Sequence, residues 1–263
     1  MNFWEALILG IIQGLTEFLP VSSSGHIELG KALLDVEPKD PLLFSVMVHA
    51  ATALSTLVVF RKTILDLFKD LFKFKWNEGT RYIFLIVVSM IPVGIVGVFF
   101  EQEIEVLFEG NILLVGCMLM VTAFLLFATT KISDKKQDVT IKRSVLVGIA
   151  QAIAVLPGIS RSGATISTAL LSGMGRQEAA RFSFLMVLPP ILGATLLKLK
   201  DYLEAGASVE VETQSLVVGF LGAFLTGWAA CTWMIAIVKR AKLQYFAYYC
   251  GVVGIIAIIS HWF

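Results

Sequence analysis

Gln13 and Glu17 lie four residues apart. On a helix that spacing puts an amide and a carboxylate on one face and aims them at one point. A polar run follows at once, Pro20-Val-Ser-Ser-Ser-Gly-His26, which contains Ser22, Ser23, Ser24 and His26. A serine with a histidine three residues on and a carboxylate upstream has the elements of an activated nucleophile, in which a base removes the hydroxyl proton and an acid orients the base. A second polar run, Pro157-Gly-Ile-Ser-Arg-Ser-Gly163, carries Ser160, Arg161 and Ser162, with Thr165 just beyond. The planar guanidinium of Arg161 suits phosphate oxygens. A glycine- and serine-rich turn that opens a helix exposes backbone N–H groups to an anion, and the helix dipole favours the negative charge. Ser160, Ser162 and Thr165 add hydroxyl donors. The first run supplies reactive groups and the second an anion cradle, a combination suited to phosphate-ester or anhydride chemistry. Plainer readings exist for each part: serines beside Pro and Gly serve as helix caps, and Glu17 with Arg161 makes a structural ion pair.

The elements that position these residues are apolar. The chain has 263 residues, 57% of them apolar and only 16% charged, with a mean hydropathy of +0.83. Soluble domains carry about 25% charged residues. Stretches such as Ile83 to Phe100, Ile112 to Thr130 and Leu216 to Val238 run without a charge, and about 18 such residues suffice to cross the hydrocarbon as a helix. The expected fold is therefore an all-α polytopic integral membrane protein forming a single membrane domain over residues 1–263. The net charge of +1, with no basic cluster interleaved with aromatics, leaves nucleic-acid binding without a footprint. Cys117, Cys231 and Cys250 stand alone in apolar runs without metal-ligand spacing, so no disulfide framework or zinc site is supported and they are expected as core or lipid-facing residues. The N-terminus has no Lys or Arg ahead of its apolar run and no small-residue cleavage site after it, so the chain is expected as mature protein.

Basic residues gather in short cytoplasmic loops. Three basic clusters, Arg61 to Arg81, Lys131 to Arg143, and Lys239, Arg240 and Lys242, are assigned to that side. Glu101, Glu103, Glu105 and Glu109, and the stretch with Asp201, Glu204, Glu210 and Glu212, fit the outer side. Threading the chain accordingly gives six full spans, at roughly 42–60, 82–100, 111–130, 182–199, 215–238 and 244–262, with both termini outside. Residues 3–41 and 144–181 must each begin and end on one side, and each is broken by one of the polar runs. Two crossings apiece would satisfy the charge rule equally; the polar centres favour re-entrant helical hairpins. Arg161 alone among the basic residues falls in the interior. The run Leu67 to Phe74, with Lys69, Lys73 and Lys75, is expected as an amphipathic surface helix, His49 as a packed or hydrogen-bonded helix residue, and His261 beside Trp262 as part of an interfacial belt.

The two hairpins align at a shift of 138 residues: Gly10 with Gly148, Gln13 with Gln151, Ser22 with Ser160, Ser24 with Ser162 and Gly25 with Gly163, and the register continues to Ser45 with Ser183. The halves, about 1–138 and 139–263, thus read as an internal repeat. One hairpin and three spans per half make the number of crossings odd, so the second copy must be inverted. Inverted repeats with broken helices place a ligand site near the midplane.

At these residues the sequence resembles the undecaprenyl-pyrophosphate phosphatases of the bacitracin-resistance type. The stretch from Gln13 to His26 fits the family's Glu/Gln-x-x-x-Glu element with its following Ser and His. The stretch from Pro157 to Thr165 fits its Pro-Gly-x-Ser-Arg-Ser-x-x-Thr element. The chain departs from common members at Gln13, where many have Glu, and at Ser24, where many have Thr; the first leaves one carboxylate fewer for a metal. The resemblance implies a bacterial plasma-membrane enzyme that converts a C55 polyprenyl diphosphate to the monophosphate carrier of peptidoglycan synthesis, on the outer side, with Mg²⁺ or Ca²⁺, and that confers bacitracin resistance. Its partners are then the lipid substrate and the bilayer, with a homodimer as one candidate assembly. On this reading Arg161, Ser160 and Thr165, with Ser22 and Ser162, hold the diphosphate. Glu17 and Gln13 place the metal or its water, and Ser23 attacks the terminal phosphorus with His26 as proton acceptor. His26 as nucleophile, or attack by metal-bound water, uses the same residues. The rival from another class is a transporter or flippase of an anionic lipid or solute, since inverted repeats with broken helices are a transport architecture.

Overall fold

The computed structural model describes the chain except residues 35, 37–40, 108–110, 133–136, 205–212, 241 and 262–263. Glu109, Lys135, Lys136, Glu210, Glu212 and Trp262, used above to assign sides, lie outside the described residues. Among the described residues the secondary structure is helical apart from one isolated bridge between Gln137 and Met174.

Helix α1 (Phe3–Phe18) opens on a capping box, in which the Asn2 side chain accepts from the Glu5 N–H and the Glu5 carboxylate accepts from the Asn2 N–H. It stops where Pro20 forces the preceding Leu19 into extended geometry, ψ 143°. After a tight turn comes α2 (Ser23–Leu34), then α3 (Pro41–Leu71), α4 (Glu78–Phe99), α5 (Glu101–Leu107) and α6 (Ile112–Ala128). The second half runs through α7 (Ile141–Ile153), α8 (Arg161–Leu171), α9 (Arg176–Met186), α10 (Leu188–Glu204), α11 (Thr213–Lys239) and α12 (Gln244–Ser260). Four stretches are long and apolar enough to cross a membrane, Leu43–Leu71, Glu78–Phe99, Arg176–Leu197 and Thr213–Lys239; α6 and α12 are shorter apolar helices. These six overlap the six expected spans, four of them as stretches long enough to cross. Only 17% of the apolar stretch of α4 is buried, and Val98, Phe99 and Phe124 stand exposed, an apolar exterior suited to lipid. The protein is a multi-pass helical membrane protein.

Two local expectations need correcting. The stretch at 182–199 is jointed at Val187, between α9 and α10, because Pro189 and Pro190 follow and remove two helical N–H donors. The basic, Phe-rich surface helix expected from Leu67 is no separate element, since α3 continues unbroken to Leu71 and its last turns leave Phe68 exposed.

Helices α1 and α2 start 138 residues before α7 and α8. Contacts between the halves are exchanged in the same register, with α1 lying along α11 and α7 along α4. Both contacts bring backbones together at glycine. A Cβ on Gly10 would lie 2.3 Å from the Gly219 carbonyl oxygen, and one on Gly148 would lie 2.4 Å from that of Ser89. Such close approach is how membrane helices gain packing energy in lipid. The two turns also meet reciprocally: a Cβ on Gly25 would sit 3.3 Å from Gly158, and one on Gly163 would sit 3.3 Å from Pro20.

Candidate functional site

The site is built where the two turns touch. In the first turn Ser22 adopts a left-handed backbone, φ 72°, and its hydroxyl caps α2 by accepting from the Gly25 N–H at 3.2 Å. This bend reverses the chain so that the first residue of α2, Ser23, faces the end of α1. The Ser23 hydroxyl donates to Glu17 Oε2 at 2.7 Å, and Gln13 Nε2 donates to the same oxygen at 2.9 Å. Glu17 Oε1 accepts from Arg161 Nη2, a contact that joins the two halves. One buried carboxylate thus gathers an amide, a hydroxyl and a guanidinium. The Glu17 side chain is 3% exposed and that of Arg161 is 24% exposed, so the cation stands at the accessible side of the pair.

The second turn is held by its own hydroxyls. Ser160 caps α8, accepting from the Gly163 N–H at 3.0 Å, and its own N–H donates to Thr122 Oγ1 at 2.9 Å. Ser162 donates to the Leu19 carbonyl of the first turn at 3.1 Å. Thr165 donates to the Arg161 carbonyl at 2.8 Å and meets the Ser183 hydroxyl. These serines and Thr165 therefore fix the position of Arg161, and the guanidinium is the donor left facing the small cavity that Glu17, Thr52, Ser162, Thr165 and Ser183 help to line.

Of the residues singled out from sequence, Gln13, Glu17, Ser23 and Arg161 converge, with Ser22, Ser160, Ser162 and Thr165 shaping the two turns. The Ser23–His26 pair is not assembled. Side chains on a helix lean toward its N-terminus, which carries Ser23 to Glu17. The His26 ring is tied by Nδ1 to the Ser22 carbonyl at 2.8 Å and by Nε2 to the Tyr249 hydroxyl at 2.8 Å. Residues that sequence reasoning missed are Tyr249, Thr122 and Thr52. Each is a polar group within an apolar stretch of its helix, and intramembrane polarity was the available signal. Ser183 was noticed only as a repeat partner of Ser45. His49 is hydrogen-bonded within its helix, Nδ1 to the Ser45 carbonyl at 2.8 Å, as expected, and also lies within electrostatic range of Glu17. Cys231 and Cys250 are buried and Cys117 is exposed on α6.

Comparison with known proteins turns this geometry into a family assignment. The family model described as Bacitracin resistance protein BacA matches residues 6–256. The chain belongs to the BacA family. It is similar to the undecaprenyl-diphosphatase of Christiangramia forsetii, 55% identical over 98% of each chain, and to that of Bacteroides fragilis, 52% identical over 98% of each. At greater distance, the undecaprenyl-diphosphatase of Methanobrevibacter smithii is 36% identical over 99% of this chain and 98% of its own. The similarity to BacA relatives covers both turns and all twelve helices except the ends of the chain.

Proposed function

We propose that this BacA family member is an undecaprenyl-diphosphatase, which hydrolyses undecaprenyl diphosphate to undecaprenyl phosphate and inorganic phosphate. It would thereby recycle the carrier lipid of cell-wall synthesis and confer bacitracin resistance. The observation that carries this reading is the line Ser23–Glu17–Arg161, in which a hydroxyl and a guanidinium from opposite halves meet on one buried carboxylate. Arg161 turns the N–H groups not used by Glu17 toward the diphosphate and stabilises charge on the transferring phosphoryl group. Ser23 Oγ attacks the terminal phosphorus and its proton passes to Glu17 Oε2. The anhydride P–O bond breaks and undecaprenyl phosphate leaves. Water then attacks the phosphoserine: the new P–O bond forms, the P–Oγ bond breaks, Glu17 returns its proton to Ser23, and the water proton passes to His26, one turn along α2. The role of proton acceptor toward Ser23 thus moves from His26 to Glu17.

A divalent cation, Mg²⁺ or Ca²⁺, fits this site in a limited way. Among the described residues no three His, Cys, Asp or Glu side chains cluster as a metal cage. The Glu17 carboxylate and the Gln13 amide oxygen are hard donors, and such ions commonly take one or two protein oxygens and complete their shell from substrate phosphates and water. Bound there, the cation would neutralise charge on the diphosphate. The basic clusters at the end of α3 and start of α4, before α7 and after α11 support a cytoplasmic side opposite the termini. They thereby support an outer-facing site in the bacterial plasma membrane, with the second half inverted relative to the first.

The test is phosphate release from undecaprenyl diphosphate by purified protein in detergent, with Glu17→Ala and Arg161→Ala as controls. Release by the wild type alone establishes the phosphatase. No release by a folded wild type, with or without Mg²⁺ or Ca²⁺, refutes it and leaves the transporter reading.

A further inference from the structure

Tyr249 lies on α12, far in sequence from either turn, yet it holds both the face and the edge of His26. The rings stack with centroids 5.6 Å apart and planes 14° apart. The phenol oxygen is 2.8 Å from His26 Nε2, and Nδ1 is 2.8 Å from the Ser22 carbonyl oxygen. A carbonyl can only accept, so Nδ1 carries the ring hydrogen. In the neutral ring Nε2 is then a lone pair, and the phenol donates to it. With a partner at each nitrogen and an aromatic face against its own, the imidazole has one tautomer and one orientation. Its second anchor is rigid as well, because Ser22 is buried and its backbone is fixed by the cap it forms on α2. Tyr249 is exposed and His26 lies one turn along α2 from Ser23, while Glu17 is buried.

We propose that Tyr249 is a positioning residue for the reaction, fixing His26 in the tautomer whose Nε2 lone pair receives the water proton when the phosphoserine is hydrolysed. This rests on the phosphatase reading above. Nothing in the Ser23–Glu17–Arg161 line needs Tyr249, so its removal spares the first step. The phenol shields Nε2 in the resting protein and yields it when water or phosphate takes over its hydrogen bond.

The variant Tyr249→Phe keeps the stacked ring and removes only the hydroxyl. It is expected to lower kcat by about tenfold to a hundredfold, as loss of an orienting partner does, and to lower KM for undecaprenyl diphosphate with it, so that kcat/KM, which reports the spared first step, stays within about twofold. Phosphoserine at Ser23, trapped by acid quench, should accumulate. Independently of activity, carbethoxylation of His26 by diethyl pyrocarbonate, read by peptide mass mapping, should quicken by about fivefold, the equivalent of one hydrogen bond. Tyr249→Leu, which also removes the stack, should quicken labelling further. Unchanged kcat together with unchanged His26 labelling in Tyr249→Phe overturns the proposal. So does a fall in kcat matched by an equal fall in thermal stability with labelling unchanged, since that is a packing effect. If the wild type releases no phosphate yet His26 labelling quickens in Tyr249→Phe, the orienting contact stands and the phosphatase reading is what fails.

Discussion

If the Glu17–Arg161 pair were only structural, neutralising both partners together would restore the protein; if it is the reacting centre, neutralisation restores stability without activity. The perturbation is the cycle Glu17→Gln, Arg161→Met and their combination. In Arg161→Met the Glu17 carboxylate, 3% exposed, loses its cation but keeps Gln13 and Ser23 as donors to Oε2. Breaking a buried pair costs about 3–5 kcal/mol, and the two surviving donors place this variant near 3 kcal/mol. In Glu17→Gln the stranded guanidinium is 24% exposed and partly hydrated, so the loss is smaller, about 1–2 kcal/mol. The double variant holds no uncompensated charge and is expected within about 1 kcal/mol of wild type, because a buried ion pair is often replaceable by neutral groups of similar volume. The cycle then shows a coupling of about 3 kcal/mol. At roughly 2–4 °C per kcal/mol for a chain of this size, Arg161→Met melts about 6–12 °C low and the double variant within a few degrees of wild type. Phosphate release should fall by about a hundredfold or more in all three, the usual loss for a group that stabilises transition-state charge. The assays are thermal unfolding in detergent and phosphate release on the same preparations. A double variant that regains activity along with stability would refute the placing of catalysis at this pair.

Three further outcomes follow from single contacts. Gln13→Glu sets a second carboxylate where Nε2 now donates to Glu17 at 2.9 Å, so the cation-free protein should melt about 1–3 kcal/mol less stably and Mg²⁺ or Ca²⁺ should restore it; a melting curve indifferent to the cation would exclude a metal site there. Gly10→Ala forces a Cβ against the Gly219 backbone and should destabilise by about 1–3 kcal/mol, whereas Gly94→Ala, which meets open space, should stay within about 1 kcal/mol of wild type; equal melting temperatures would mean that α1 and α11 do not pack this closely. Gln151→Met removes a buried amide with neither end partnered and should raise stability by about 1–3 kcal/mol, with phosphate release retained; a lowered melting temperature would reveal a partner for that amide.

What the sequence made legible was whatever depends on neighbours along the chain. Of the six charge-free or nearly charge-free stretches, four became helical stretches long and apolar enough to cross a membrane and two became shorter apolar helices, and the i, i+4 spacing of Gln13 and Glu17 became a hydrogen bond, because local hydropathy and helix periodicity decide these. The partner of Ser23 was not legible in this way. Three residues from Ser23 to His26 allow a hydrogen bond in principle, but the left-handed bend at Ser22 and the backward lean of helical side chains send Ser23 to Glu17. The bend itself is held by the local Ser22 cap, but the turn it belongs to is met by the Ser162 hydroxyl of the other half at the Leu19 carbonyl, which no local pattern encodes. Tyr249 was hidden for a related reason: α12 also carries Tyr245 and Tyr248, and nothing in the local pattern says which of the three rings will meet His26. The joint at Val187 was visible in Pro189-Pro190, but a hydropathy window averages over it.

On the proposed phosphatase reading, the repeat register explains why the two turns serve one centre. At a shift of 138, Ser23 corresponds to Arg161, each the first residue of its helix, and both turn toward Glu17. The residue corresponding to Glu17 is Val155, and that corresponding to His26 is Ala164. Around Gln151, the counterpart of Gln13, there is thus no carboxylate four residues on to receive its amide, which accounts for Gln151 being buried without a partner. Two equivalent helix starts therefore converge on Glu17: one carries the hydroxyl that donates to it, and the other carries the cation that pairs with it. On the proposed phosphatase reading, the asymmetry lies in side chains at matched backbone positions, so that both turns build the site and the nucleophile comes from the first.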